Sequence, residues 1–88
     1  MKDERGLYYL PSLQTRDTRM YVREHAGVIE FRLYSGENPE IWDRHGWLAL
    51  DVIQRAARMY QDLGRERNPM GLYDEAVARR LIADDAKG

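Results

Sequence analysis

Residues 19 to 34, RMYVREHAGVIEFRLY, alternate so regularly that they dictate much of what the chain can fold into. Met20 and Val22 alternate with Arg19, Tyr21 and Arg23, while Ile29, Phe31 and Leu33 alternate with Glu30, Arg32 and Tyr34. A period of two puts successive side chains on opposite faces of an extended chain, so each run reads as a half-buried strand. HAGV lies between them, and Gly27 can supply the positive φ that a tight turn needs.

The register of this hairpin follows from the same pattern. An even-numbered turn around Ala26 and Gly27 sets Met20 opposite Leu33, Val22 opposite Phe31 and Glu24 opposite Ile29 on one face. The other face then pairs Arg19 with Tyr34, Tyr21 with Arg32, Arg23 with Glu30 and His25 with Val28. A three-residue turn would set Arg23 opposite Ile29 and scramble both faces, so it is rejected.

LYYL, residues 7 to 10, is aromatic and apolar enough for a further strand. Pro11 cannot donate to a ladder, so this strand should lie at a sheet edge or end at Leu10. The preceding MKDERG reads as frayed, and SLQTRDT, residues 12 to 18, as a loop. After the hairpin the pattern changes to helix. Asn38 suits an N-cap, Pro39 the first helical position and Glu40 the positive end of the dipole. A single helix over residues 39 to 63 would be about 37 Å long, awkward for so small a domain. Gly46 suits a left-handed stop, which would bring Trp47 back against Trp42.

Beyond that break, LALDVIQRAARMYQDLG places Ala49, Val52, Ile53, Ala56, Met59, Tyr60 and Leu63 on one broad face and Asp51, Arg55, Arg58 and Asp62 on the other. Gly64 ends this helix and RERNP follows as a polar connection. YDEAVARRLIA forms a last helix, with Asp74 near its start and Val77 and Leu81 facing inward, and DDAKG frays. The expected fold is α+β: a three-stranded antiparallel sheet packed on one main amphipathic helix, with a short helix before it and a C-terminal helix after it. All 88 residues make one small domain, with 1 to 6 and 84 to 88 frayed.

Composition narrows the function classes. Charged residues make up 33% of the chain against about 25% in a typical domain, so the surface is strongly ionic, yet the net charge is only -1. The balance is also flat along the chain: residues 1 to 38 carry 6 basic and 6 acidic groups, 39 to 67 carry 5 and 5, and 68 to 88 carry 3 and 4. No basic tail announces nucleic acid. Without cysteine there is no disulfide, thiolate metal site or cysteine nucleophile. No apolar run approaches a membrane span and no secretory signal is visible, so a cytoplasmic location is expected.

Two constellations stand out. Arg19, Arg23 and Arg32 interleave with Tyr21 and Tyr34 on the polar side of the hairpin, and such mixtures let sheets hold phosphates and stack bases. The same residues can instead satisfy one another, Arg19 over Tyr34, Arg32 beside Tyr21, and Arg23 in an ion pair with Glu30. A three-stranded sheet backed by a helix also resembles the arm-binding domains of phage integrases, which lay such a sheet in the major groove; the chain carries no motif of that family.

The second constellation is WDRHGW, residues 42 to 47. Trp42 and Trp47 can anchor the short helix to the core while His45 sits near its C-terminus. If both indoles are only half-buried, they present an anchor for a partner. Asp43 and His45, two apart on a helix, do not face each other.

His25 and His45 lack the spacing of a metal site, Asp84 and Asp85 are adjacent and do not converge, and Gly64 and Gly71 form no phosphate loop. No metal or cofactor is expected. The apolar face of the main helix is wider than three short strands can cover, with Leu48, Leu50 and Ala57 on its flanks and Met59 and Met70 suited to an adaptable contact. The reading is therefore a non-catalytic interaction domain that binds a protein partner or itself, through the helical side or through Trp42, His45 and Trp47. The alternative is a nucleic-acid-binding module using Arg19, Tyr21, Arg23, Arg32 and Tyr34.

Overall fold

The computed structural model describes residues 1–11, 17–62 and 73–87. The strands are β1 (Lys2–Asp3), β2 (Gly6–Tyr9), β3 (Thr18–His25), β4 (Val28–Ser35) and β5 (Leu48–Ala49). The helices are α1 (Glu40–Arg44), α2 (Leu50–Asp62) and α3 (Glu75–Ala86). The strands form one antiparallel sheet in the order β1-β2-β3-β4-β5, so the architecture is α+β with five strands among the described residues rather than three. Expectations for Tyr60, Leu63, Gly64, the RERNP connection, Met70 and Gly71, and for most of the first loop, lie outside what is described.

The hairpin has the derived register at every pair, from Arg19 with Tyr34 to His25 with Val28. Its turn holds Ala26 at φ 52° and Gly27 at φ 79°. Two successive positive φ values mark the turn whose twist matches that of the flanking strands. Gly27 adopts this without cost, whereas Ala26 carries the left-handed penalty of a Cβ.

β2 pairs Leu7 with Val22, Tyr8 with Tyr21 and Tyr9 with Met20, and it ends before Pro11, as a missing donor requires. It is nevertheless not an edge. Lys2 and Asp3 double back to pair with Leu7 and Gly6, so the first residues are a strand rather than a frayed tail. A side-chain oxygen of Asp3 accepts the Arg5 amide at 2.8 Å, and this local bond sets the turn. At the opposite edge, Leu48 and Ala49 pair with Phe31 and Glu30.

One face of the sheet forms the main core. Met20, Val22, Ile29 and Phe31 are buried there with Ile53 of α2 and Ala78 of α3, and Leu7, Tyr9, Leu33, Leu50, Tyr73, Leu81 and Ile82 surround them. α3 lies across β2 and β3, and α2 against β4 and β5. The Tyr73 ring meets Phe31 edge-on at 5.4 Å. Asp74 caps α3 by accepting from the Val77 amide at 3.1 Å, while its own amide donates to the Tyr9 hydroxyl at 2.8 Å. Burial pushes the Tyr9 and Tyr73 hydroxyls above the usual phenol range. α3 runs on to Ala86, so residues 84 to 86 are helical rather than frayed, and Asp85 pairs with Lys2 at 3.1 Å.

Three helix expectations need correction. α1 starts at Glu40 with Pro39 in the capping position and no side-chain cap bond, so Asn38 does not cap it. It ends in an extended His45, φ -119° and ψ 120°, and Gly46 has no positive φ; the chain leaves the helix by straightening rather than by a left-handed turn. α2 is rotated from the expected stripe. Ile53 and Ala57 are buried and Leu50 half-buried, while Val52 and Met59 point to solvent.

Candidate functional site

The polar face of the sheet is where the sequence and the structure part most usefully. Alternation does place Arg19, Tyr21, Arg23, Arg32 and Tyr34 together on it. The face is not open. α1 packs against β4 on this side and seats Trp42 over the strands, so Tyr21 has no exposed surface. The Tyr21 ring contacts Tyr8 at 5.5 Å and Trp42 edge-on at 5.2 Å, and Trp42 in turn meets Tyr34 at 6.4 Å and Trp47 at 6.2 Å. Five aromatic rings thus form a second packed layer, opposite the main core.

Each arginine is engaged within this layer. Arg19 donates from Nη1 to Asp3 Oδ2 at 2.8 Å and lies over Tyr8 at 4.9 Å, not over Tyr34. Arg23 pairs with Glu30 at 2.7 Å, as the register implies, and stacks on Trp47 at 4.3 Å. Arg32, opposite Tyr21 in the register, stacks over Trp42 at 3.9 Å rather than on the Tyr21 ring. Its Nε donates to the Trp42 and His45 carbonyls, each at 3.1 Å, and Nη2 also donates to the Trp42 carbonyl. Those carbonyls close α1, so Arg32 supplies the C-terminal cap that the sequence sought in Gly46. Tyr34 is met by Arg5, 4.5 Å from its centroid and 5.8 Å from that of Trp42.

Asp3 is the hub that binds β1 to this layer. Its carboxylate accepts from Tyr21 Oη, from Arg19 and from the Arg5 amide. Burial acts to raise its pKa, but the bonds from Tyr21, the Arg5 amide and Arg19 outweigh it and hold the carboxyl below the usual range. The Tyr21 hydroxyl is pushed up, first by burial and then by the Asp3 carboxylate. Sequence pattern alone did not single out Asp3, Arg5 or Tyr8. The available signal was the spacing of Asp3 and Gly6, a turn signature that folds the N-terminus back onto β2.

Trp42 and Trp47 are both half-buried, whereas His45 is exposed at the end of α1. Beside Trp47 lies a groove of about 450 Å³, lined by Arg5, Leu7, Val22, Ile82 and Asp85 among others. Among the described residues no three histidine or carboxylate side chains gather in a way that could hold a metal ion. No helix among them is long and apolar enough to cross a membrane.

No protein-family model matches the chain, and comparison with curated proteins and with solved structures finds no match.

Proposed function

We propose that the chain is a small non-catalytic interaction domain that receives a protein partner on its Trp42–Trp47 side. The observation that carries this reading is the state of the two indoles, half-buried and held by arginine stacking. Tryptophan, tyrosine and arginine dominate the energetics of protein interfaces, because they offer large contact areas with little rotamer freedom left to lose. Here that freedom is already restricted, since Arg23 fixes the face of Trp47 and Arg32 that of Trp42. The groove beside Trp47, with Leu7, Val22 and Ile82 in its lining, suits an apolar side chain of the partner, and His45 is exposed at the end of α1.

The alternative, a nucleic-acid module using Arg19, Tyr21, Arg23, Arg32 and Tyr34, asks those groups to leave Asp3, Glu30 and the α1 carbonyls for phosphates. Two measurements separate the readings. Proteins captured by the wild-type chain are compared with those captured by Trp47→Ala, at low and at raised salt; a partner retained at raised salt and lost with Trp47→Ala supports the proposal. Amide NMR titration with short DNA and RNA forms the second arm. Capture indifferent to Trp47→Ala, or shifts over residues 19 to 34 that vanish with salt, would overturn it.

A further inference from the structure

The solvent side of α2 carries a second pattern, independent of the tryptophan face. Val52 is 48% exposed and Met59 64%, seven residues apart on one side of the helix, and Leu48, 39% exposed, lies just before it. Asp51 and Arg58, also seven apart, flank the two apolar positions, and neither makes an ion pair among the described residues. With Val52 and Met59 as successive a positions of a heptad, Arg55 falls at d and Asp51 and Arg58 at g, while Leu48 belongs to β5 and precedes the helix.

That arrangement is complementary to itself in one orientation. In an antiparallel pair, a residues layer against d residues and g residues face g residues. Val52 then lies along the aliphatic stem of Arg55 of the second copy, Asp51 faces its Arg58 and Met59 reaches the start of its α2, with every contact repeated across the two-fold axis. In a parallel pair Asp51 would face Ala56 and find no cation. We propose that the chain self-associates as an antiparallel dimer through α2, with Asp51 and Arg58 setting the orientation. A single helix pair buries less than the roughly 800 Å² per partner of a standard interface, so the dimer is weak and dissociates on dilution.

The test exchanges charges on residues whose side chains lie outside both packed layers. Sedimentation equilibrium over a concentration series is expected to show a monomer–dimer equilibrium for the wild type. Asp51→Arg and Arg58→Asp are each expected to weaken it about tenfold, because each places like charges at both ends of the interface. Mixing the two single variants restores dimers, since the first then presents only arginine at these two positions and the second only aspartate. The variant carrying both exchanges recovers on its own, with each pair reversed in sign. A monomer at every concentration, or a dimer unchanged by Asp51→Arg, overturns the proposal. So does a mixture of the single variants that associates no better than either alone. None of these variants touches Trp42 or Trp47, so failure here leaves the partner-binding reading standing, and loss of capture by Trp47→Ala leaves the dimer intact.

Discussion

Asp3 ties the N-terminus to the second layer through its side chain, and this sets how the protein responds to acid. Its carboxyl is held below the ordinary value in the folded chain. A group depressed on folding contributes stability that is present above its unfolded pKa, near 4, and is lost as pH falls through its folded value. Asp3→Asn is therefore expected to lower stability at neutral pH and to flatten the acid limb, read as the urea midpoint against pH for both proteins. An unchanged acid limb would mean that the Asp3 network does not persist in solution. At the hairpin tip, Ala26 sits in the left-handed region where asparagine is better tolerated. Ala26→Asn should raise stability by about 0.5–1 kcal/mol, measured as a higher denaturant midpoint with an unchanged slope; a lower midpoint would argue against this turn.

Among the elements, α1 depends on tertiary contacts more than on its own sequence. Five residues are too few to hold a helix, and it has neither a side-chain N-cap nor a glycine stop. Its end is closed by the Arg32 guanidinium, which both hydrogen-bonds the final carbonyls and covers Trp42. Arg32→Ala should cost about 2–3 kcal/mol, and Arg32→Lys should recover little, because an ammonium lacks the planar fork. Near-UV circular dichroism and urea denaturation check both; full recovery with lysine would reduce the role of Arg32 to charge.

On α2, Ile53→Ala should cost about 2–4 kcal/mol and Val52→Ala no more than about 0.5 kcal/mol. Equal losses at the two positions would restore the stripe that the sequence suggested. The sequence erred there for a physical reason. Leu50, Ile53 and Ala57 form one apolar stripe, and Val52, Ala56 and Met59 form another beside it. Periodicity cannot rank two overlapping stripes; contact with β4 and β5 decides.

For the molecule as a whole, the hairpin was fully legible because alternation constrains both faces at once, and a slip of one residue would have exposed Val22 and Phe31. β1 and β5 were not legible, since two residues carry no period and both strands exist only by pairing with a neighbour already in place. The five sequence-selected residues of the polar face do come together, but alternation alone cannot say whether a layer of tyrosine and arginine meets water or another element. Such side chains have apolar bodies and polar tips, and they serve either environment. Here Trp42 covers them, so the sheet is packed on both sides.

α1 closes the polar face of the sheet with an aromatic layer. The most direct measurement is a proton NOE spectrum focused on the Tyr21 ring, whose centroid lies 5.2 Å from that of Trp42. Cross-peaks from the Tyr21 ring to the Trp42 indole and to Tyr8 are the predicted result. A Tyr21 ring without cross-peaks to Trp42, accessible to a soluble paramagnetic probe, would mean that α1 does not close this face and that the sheet is open there.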